Sequence, residues 1–266
     1  MGYCEYTGDY MKFLVVSDIH ANPEALSAVL GDALQEDCRG FLCLGDITGY
    51  GPDPDACVRL VLAQARDAEM AFVLSGNHDA ALTGKIPVEW FNAHAQRSVQ
   101  YTRSVISEAS VEWLDSLEHT ARLDNATWAS HGSPLEPLTG YLWGGLETAI
   151  VFSWMTDSEF SLCFCGHTHE AALYYGKARK KVIAPAPGDA AVFSDVPAIV
   201  NPGSVGFPRT FNGAKAAVRK GRVPPVSRAS YPAYYAIWNQ TERTVSWREV
   251  RYDRRPLEER LSRAGL

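Results

Sequence analysis

The sequence predicts an α/β fold, and three patterns along the chain lead to that prediction. Early in the chain, short apolar runs have the length and composition of buried strands, at 13–16, 40–44 and 70–74. Apolar residues recur at helical spacing between these runs, as they do at 26–34. From residue 171 onward, short β-type runs are separated by turns. These patterns predict parallel strands with helices on the sheet faces, followed by a β-rich second half.

The remaining elements follow from the same two periodicities. Helices are predicted from Pro23 to Leu34 and at 57–65, 88–108, 111–117, 146–156 and 254–265. Further strands are predicted at 126–130, 162–165, 171–175, 182–184, 197–200, 234–238 and 244–250. The runs beyond residue 170 predict a second sheet. Within 88–108, the spacing of Trp90, Phe91, His94, Tyr101 and Val105 indicates packing residues.

The composition is that of an ordinary globular protein. A chain of 266 residues with 46% hydrophobic and 21% charged residues can form one large core. We therefore expect a single domain over 1–266, with an N-terminal extension at 1–10 and a basic loop inserted at 207–230. The net charge of −6 disfavours genomic nucleic acid as a partner. Nothing in the sequence sets the oligomeric state.

The sequence contains neither an apolar run of membrane-spanning length nor the pattern of a signal peptide. We therefore expect a cytoplasmic protein without a membrane partner. The six cysteines include no Cys-x-x-Cys pair, and three of them lie in predicted core strands. Reduced, structural cysteines are expected.

Polar residues follow several of the predicted strands directly. After the strand at 70–74, Asn77 offers an amide oxygen, His78 an imidazole and Asp79 a carboxylate. Asn and Asp also favour turns and helix caps, so this stretch alone leaves a capped turn open.

The same arrangement recurs at the ends of four other strands. The candidate metal ligands are Asp18, His20, Asp46, Asn77, His131, His167 and His169. Open α/β sheets place their ligands at the carboxyl ends of strands, so we expect these side chains to converge. In extended backbone, Asp18 and His20 would point the same way, as would His167 and His169. Seven ligands exceed the needs of one ion and therefore predict two divalent metal ions. Mixed oxygen and imidazole donors suit Mn²⁺, Fe²⁺ or Zn²⁺ better than Mg²⁺.

The candidate ligands fall in five short blocks along the chain: Asp18-x-His20, Gly45-Asp46, Gly76-Asn77-His78-Asp79, His131 and Gly166-His167-x-His169. These blocks, and the order in which they occur, resemble those of the calcineurin-like metallophosphoesterase superfamily. The segments at 49–52 and 201–206 extend the resemblance to its small bacterial and archaeal phosphodiesterase branch. The resemblance implies a four-layer αββα sandwich, in which two mostly mixed β-sheets are flanked by helices.

The resemblance also implies a division of roles among the site residues. One metal would be held by Asp18, His20 and His169, a second by Asn77, His131 and His167, and Asp46 would bridge them. His78 is outside this ligand set, and it would donate a proton to the leaving group or stabilise charge on the phosphoryl group. Asp79 would orient the His78 ring.

The expected activity is that of a metal-dependent phosphoric ester hydrolase. The favoured reaction is hydrolysis of a small phosphodiester or nucleotide by a metal-activated water. A phosphomonoesterase, including a Ser/Thr protein phosphatase, is the alternative, because one metal pair can serve both reactions. A non-catalytic scaffold is disfavoured by the intact ligand set together with His78.

The basic segment 207–230 stands apart from the rest of the chain. It holds six cationic residues and no acidic one: Arg209, Lys215, Arg219, Lys220, Arg222 and Arg228. Such a loop can attract an anionic substrate, with Arg209 as the candidate phosphate contact, or it can simply be solvated. His94 and His119 lie outside the motif set, and packing in a loop is the expected role of Tyr50.

Overall fold

The computed structural model describes residues 11–175, 180–183, 190–192, 197–209 and 227–266. The predicted N-terminal extension at 1–10 lies outside these ranges. So do residues 210–226, which make up most of the predicted basic loop.

The described part of the chain contains twelve strands and seven α-helices. The strands are β1 (Lys12–Val16), β2 (Gly40–Cys43), β3 (Met70–Val73), β4 (Thr120–Arg122), β5 (Thr127–Ser130), β6 (Leu162–Phe164), β7 (Ala171–Tyr175), β8 (Lys180–Ile183), β9 (Ala190–Val192), β10 (Ala198–Pro202), β11 (Tyr231–Asn239) and β12 (Thr244–Tyr252). The helices are α1 (Pro23–Ala33), α2 (Pro54–Asp67), α3 (Asn77–Leu82), α4 (Ala93–Val105), α5 (Glu108–Asp115), α6 (Leu146–Asp157) and α7 (Arg255–Ala264). Short 3₁₀ turns lie at Leu34–Glu36 and Val88–Trp90.

The strands form two mixed sheets of six. The first has the order β3-β2-β1-β11-β12-β9, in which β1, β2 and β3 are parallel and β11 is antiparallel to β1. The second has the order β4-β5-β6-β10-β7-β8, in which β5, β6 and β10 are parallel. Each sheet therefore contains three adjacent parallel strands whose carboxyl ends lie at the same edge of the sheet.

The assignment of the last two strands to a second sheet is wrong. β11 pairs with β1, with Phe13 opposite Trp238, so the C-terminal hairpin extends the first sheet. Period-two alternation marks a strand but carries no information about its partner. The second sheet is instead assembled from 120–202, in the middle of the chain.

Three clusters of buried side chains define four layers. In β1, Leu14 and Val16 pack toward α1 and α2, whereas Phe13 and Val15 belong to a cluster that fills the space between the sheets. On the far side of the second sheet, Ile199 packs with residues of α6. Helices, sheet, sheet and helix follow one another through the molecule, which confirms the predicted αββα sandwich.

The predicted helix at 88–108 is interrupted. A 3₁₀ turn ends at Trp90, Phe91 is extended, and Asn92 begins α4 by accepting hydrogen bonds from the backbone N–H groups of His94 and Ala95. An Asn side chain that caps a helix competes with continuation of the preceding helix through it.

Within the described ranges, none of the helices combines the length and apolar composition that crossing a lipid bilayer requires. Five of the cysteines lie in the described ranges, and all five are free thiols: Cys38, Cys43, Cys57, Cys163 and Cys165. Burial raises the pKa of the Cys43 and Cys165 thiols to about 12, which keeps them protonated.

Candidate metal centre

The predicted ligands converge where the carboxyl ends of the two parallel sets meet. Asp18, Asp46 and Asn77 follow β1, β2 and β3, and His131 and His167 follow β5 and β6. His20 and His169 lie two residues beyond Asp18 and His167, and all seven side chains are buried. The structure brings together every ligand that the sequence nominates.

The backbone that presents these ligands is not extended as expected. Five of the seven ligands lie in the left-handed region: Asp18 (φ 53°), His20 (φ 52°), Asp46 (φ 52°), His167 (φ 66°) and His169 (φ 59°). This conformation costs a non-glycine residue about 1–2 kcal/mol. Sharp turns, rather than period-two alternation, aim both members of each pair at the site. Such strain persists only where the surrounding structure determines it, and it is concentrated at functional sites.

Hydrogen bonds between the loops hold the strained turns in place. The backbone N–H of His20 donates to the carbonyl of Asp46 at 2.8 Å, and that of Asp18 donates to Gly45 at 3.1 Å. Across the sheets, the N–H of His167 donates to Oδ2 of Asp18 at 3.1 Å. Ligands from both sheets are thus held before any ion arrives.

Two glycines are required by the close approach of these loops. A Cβ atom on Gly76 would lie 2.1 Å from Oδ1 of Asp46, and one on Gly166 would lie 1.9 Å from Oγ of Ser17. No side-chain-bearing residue fits at either position without moving a ligand loop.

The first ligand cluster consists of Asp18, His20 and His169. Nε2 of His169 lies 3.4 Å from Oδ1 of Asp18 and 2.9 Å from Nε2 of His20. Two ligands that each lie about 2.1 Å from one ion at ordinary coordination angles are about 3–3.4 Å apart. The third distance, from Nε2 of His20 to Oδ1 of Asp18, is longer at 3.9 Å, and all three atoms are close enough together to contact one ion.

The second cluster consists of Asp46, His131 and His167, with Asn77 beside it. Nε2 of His131 lies 3.3 Å from Oδ2 of Asp46, 3.1 Å from Oδ1 of Asn77 and 3.2 Å from Nδ1 of His167. Oδ2 of Asp46 also lies 3.6 Å from Nε2 of His20, in the first cluster. One carboxylate oxygen thus lies between the two clusters.

The donor set fits metal ions on its own chemistry. Nδ1 of His20, His131 and His169 lies 2.8–3.0 Å from the backbone carbonyls of Thr48, Leu44 and Phe207, respectively. A carbonyl only accepts, so each Nδ1 carries a proton and Nε2 is the ring nitrogen left to bind a cation. The Nε2 atoms of His20 and His169 lie 2.9 Å apart. Oδ1 of Asp18 is buried without a hydrogen-bond partner among the described residues. Cations between these atoms would satisfy all of them.

The ligand charges influence one another strongly. Burial favours the neutral form of Asp46, but His131, His78 and His20 outweigh it and hold the Asp46 pKa well below its usual range. Burial likewise disfavours charge on His131, yet the carboxylate of Asp46 raises its pKa to about 9. Burial lowers the pKa of His20 well below its usual value. A buried carboxylate surrounded by imidazoles is a donor set suited to a divalent cation.

His78 lies at the mouth of the site. Its ring is enclosed by Tyr50 at 4.5 Å, Phe91 at 5.0 Å and His20 at 5.0 Å between ring centroids. Burial lowers its pKa to about 4, and Nδ1 has no hydrogen-bond partner among the described residues. Gly49 makes this packing possible, because a Cβ there would lie 2.3 Å from Nδ1. A His78 ring nitrogen also lies within 4.8 Å of ligand atoms of His20 and Asp46, close enough to contribute to an ion.

The predicted orientation of the His78 ring by Asp79 does not occur. Oδ1 of Asp79 accepts hydrogen bonds from the N–H and Oγ1 of Thr48 at 2.9 and 2.8 Å. Oδ2 accepts from the N–H groups of Ile47 and Gly76, each at 3.1 Å. Burial raises the Asp79 pKa to about 6. Asp79 thus joins the loop that carries Asn77 to the loop that carries Asp46.

A cleft of about 440 Å³ opens over the ligands. One part of its wall is formed by Ile86, Trp90, Phe91, Asn92 and Ala95, and another part by Thr139, Tyr141 and Arg209. Arg209 therefore reaches the position expected of a phosphate contact, and its N–H donates to the carbonyl of His169 at 3.1 Å. Tyr50 packs against the rings of His20 and His78, as expected of an aromatic residue in this loop, and it also lines the cleft.

Sequence reasoning missed the aromatic residues of this cleft. Trp90 was assigned to packing, but its side chain is 70% exposed. Tyr141 was not singled out, and its ring lies 4.0 Å from that of the ligand His167. No motif marks either position, and the one available signal was the Ile-Pro at 86–87, which breaks a helix. His94 stacks on Tyr50 at 5.5 Å outside the ligand clusters, and His119 lies before β4, away from the cleft.

Comparisons with known proteins agree with this architecture. Residues 11–171 match the family model described as calcineurin-like phosphoesterase. An uncharacterized protein from Methanocaldococcus jannaschii is 34% identical over 202 residues, which is 73% of this chain and 76% of that protein.

Two solved structures superpose on nearly the whole chain. A metallophosphoesterase from Sphaerobacter thermophilus is 29% identical with a TM-score of 0.75, over 97% of this chain and 95% of that one. A hypothetical protein from Pyrococcus horikoshii OT3 is 19% identical with a TM-score of 0.69, over 96% and 94% of the two chains, and supports the fold alone. The chain belongs to the calcineurin-like phosphoesterase family and is a metal-dependent phosphoric ester hydrolase.

Proposed function

We propose that this chain is a phosphodiesterase that uses two divalent metal ions to hydrolyse a small phosphodiester or nucleotide. The observation that carries the proposal is the pair of ligand clusters that meet at Oδ2 of Asp46. Dinuclear sites of this kind separate their ions by about 3.5–4 Å and serve in-line displacement at phosphorus.

The two ion sites use residues of both sheets. Asp18, His20 and His169 would hold one ion, Asn77, His131 and His167 would hold the other, and Asp46 would be shared between them. When bound, the ions supply Lewis acidity, which activates the attacking water and neutralises charge on the phosphoryl oxygens. The imidazole-rich donor set favours Mn²⁺, Fe²⁺ or Zn²⁺ over Mg²⁺.

His78 and Arg209 act on the ester itself. His78 presents a ring to the cleft next to the ligands, where it donates a proton to the leaving oxygen or a hydrogen bond to the phosphoryl group. Arg209 also lines the cleft and attracts the anionic phosphate. Asp79 keeps the two ligand loops together and does not contact the ester.

The shape of the cleft favours a diester over a monoester. Beyond the proposed ligands, the cleft is lined by Trp90 and Phe91 from one segment of the chain and by Tyr141 and Arg209 from two others. A diester carries two organic groups and can contact more of this lining, whereas a monoester has a single group to place.

The organisation of the chain extends this proposal. We propose one domain over 1–266, supported by the joining of β1 to the C-terminal hairpin and by the buried cluster shared between the sheets. The cytoplasmic location stays a prediction, which fractionation of cells that produce the protein would test.

The first experiment compares bis-p-nitrophenyl phosphate with p-nitrophenyl phosphate. Metal-stripped protein is resupplied with Mn²⁺, Zn²⁺ or Mg²⁺, and bound metal is counted by plasma mass spectrometry. We expect two ions per chain and a higher kcat/KM for the diester with Mn²⁺. His119→Ala serves as a histidine control outside the site and should retain both metal and activity.

Other outcomes would overturn specific parts of the proposal. A single bound ion in the active protein would exclude the dinuclear mechanism. A higher kcat/KM for the monoester would favour a phosphomonoesterase. Two bound ions without hydrolysis of either compound would contradict the enzymatic function and favour a scaffold.

A further inference from the structure

Trp90 is exposed to a degree that folding does not explain. Its side chain is 70% exposed, although an indole ordinarily contributes to a core. It lines the cleft over the metal centre rather than an open surface. No aromatic ring in the described part of the chain packs against it, so the faces of the indole remain available to a ligand.

The backbone under Trp90 is firmly held. Within its 3₁₀ turn, the N–H of Trp90 donates to the carbonyl of Pro87 at 3.3 Å, and that of Phe91 donates to Val88 at 3.1 Å. The side-chain amide of Gln96 in α4 donates to the carbonyl of Phe91 at 2.8 Å. The indole is therefore presented on an ordered turn that is tied to a helix, which lowers the entropy cost of binding.

This turn adjoins the reacting centre. The Phe91 ring meets His78 edge-on at 5.0 Å, and the preceding residue, Trp90, lines the same cleft. The cationic side chain of Arg209 lines it as well. A ligand in this cleft can thus meet the predicted metal ligands, an arginine and an open aromatic face.

We propose that Trp90 forms a stacking subsite for a planar ring and that the substrate is a phosphodiester bearing a nucleobase. This inference rests on the proposed function, since the phosphate occupies the metal centre while the ring lies on the indole. Bases stack on aromatic side chains through their π-faces with little dependence on base identity. The cleft volume of about 440 Å³ is within the range of about 300–1,000 Å³ that small-molecule sites occupy.

The test compares two ligands that differ by the base alone. Adenosine 5′-monophosphate and ribose 5-phosphate share the phosphate and the sugar, so the ratio of their affinities isolates the contribution of the ring. Calorimetry on Mn²⁺-loaded protein should show the nucleotide binding roughly 5- to 100-fold more tightly, which is the range of base–aromatic stacking. Quenching of tryptophan fluorescence by the nucleotide gives a second readout that is independent of turnover.

Variants of Trp90 assign the preference to the indole. Trp90→Ala should reduce the affinity ratio to about one and leave ribose 5-phosphate binding unchanged, whereas Trp90→Phe should retain part of the ratio. Leu34→Ala is the matched control, because Leu34 is 80% exposed and also lies in a 3₁₀ turn, but outside the cleft. Its ratio should equal that of the wild type.

The outcomes separate this inference from the proposed function. A wild-type ratio near one, or a ratio that survives Trp90→Ala, overturns the subsite even if diesters are hydrolysed. A Trp90-dependent ratio in a protein that hydrolyses no diester supports the subsite and overturns the phosphodiesterase. If Trp90→Ala weakens the binding of adenosine 5′-monophosphate and of ribose 5-phosphate equally, the indole maintains the shape of the cleft and does not stack on the base. That result would also overturn the subsite.

Discussion

The metal centre and the cleft wall above it are built in opposite ways. Every proposed ligand is buried, whereas Trp90 and Tyr141 on the wall are 70% and 45% exposed. Ligand atoms must be fixed before a cation arrives, because ordering them afterwards would weaken binding. A ring-binding surface must instead stay open so that its face can be reached. Burial thus distinguishes the proposed metal ligands from the proposed ring-binding surface.

The backbone shows the same contrast. Asp18, His20, Asp46, His167 and His169 all occupy the left-handed region, while the wall at 88–90 is an ordinary 3₁₀ turn. The loops that carry the proposed ligands are hydrogen-bonded to one another, so a substitution in one loop is expected to displace ligands in the others. The wall hydrogen-bonds to two helices, because the N–H of Ile86 donates to Ala80 in α3 at 3.4 Å and the side chain of Gln96 in α4 donates to Phe91 at 2.8 Å.

The largest expected loss of activity comes from replacing Asp46, which lies between the two ligand clusters. Asp46→Asn should lower kcat/KM for a diester about 10⁴-fold, because several kcal/mol of metal-dependent stabilisation rely on the carboxylate between the clusters. Metal content should fall with it, as counted by plasma mass spectrometry. Asp37→Asn is a matched control, since Asp37 has the same φ of 52° outside the site. Full metal content with a loss of tenfold or less would contradict a bridging role.

His78→Ala tests whether His78 donates a proton or binds a metal ion. Loss of a positioned proton donor should reduce turnover about 10²–10³-fold, with both ions retained. Plasma mass spectrometry and steady-state kinetics on the same sample separate the two effects. His119→Ala should change neither quantity. Loss of an ion together with activity would instead make His78 a ligand, as its distance from His20 and Asp46 would permit.

Asp79→Asn tests the connection between the two ligand loops. The amide cannot accept hydrogen bonds on both sides, so metal affinity should fall about 10–100-fold. Unpaired backbone donors should also cost about 1–3 kcal/mol in the free energy of unfolding. Manganese titration and urea unfolding measure the two effects.

Asp55→Asn is the control for this variant, because Asp55 accepts several hydrogen bonds from Ser107 and Ser110 far from the metal centre. It should lower stability and leave metal affinity unchanged. Unaltered metal affinity in Asp79→Asn, combined with a kinetic defect like that of His78→Ala, would restore ring orientation as the role of Asp79.

The smallest expected effect on catalysis is that of replacing Arg209, which lines the cleft. Arg209→Ala should raise KM for an anionic diester about tenfold and leave kcat and metal content unchanged, since a hydrogen bond to a charged group contributes about 1.5–3 kcal/mol and this side chain is exposed. Arg228→Ala, in the same basic segment but in a different groove, is the matched control. An unchanged KM would remove Arg209 from the substrate site.

Local patterns predicted most elements of the fold but not their pairing. The strand at 13–16 was placed within one residue of β1, yet nothing in the sequence at 234–250 indicated that these strands join β1. Strand pairing is a long-range choice that depends on which edge remains open. The break in the helix at 88–108 was missed because Trp90 and Phe91 fit helical spacing while Asn92 supplies the cap.

For the candidate site too, local patterns predicted the residues but not their three-dimensional arrangement. The seven proposed ligands were found because each follows a strand end in a recognisable block, and all seven do converge. The backbone that presents them was mispredicted, since left-handed turns at Asp18 and His20 are stabilised by bonds from distant loops. Trp90 was missed because exposure in a cleft has no sequence pattern.

By itself, the sequence determined the family, the αββα architecture through resemblance and the identity of the candidate ligands, because strand periodicity and short motifs are local properties of the chain. Tertiary structure alone decided which strands share a sheet, where Asp79 directs its carboxylate, and which aromatic side chains remain exposed over the metal centre. These features depend on contacts between residues far apart in the chain, and such contacts exist only once the two sheets have packed together.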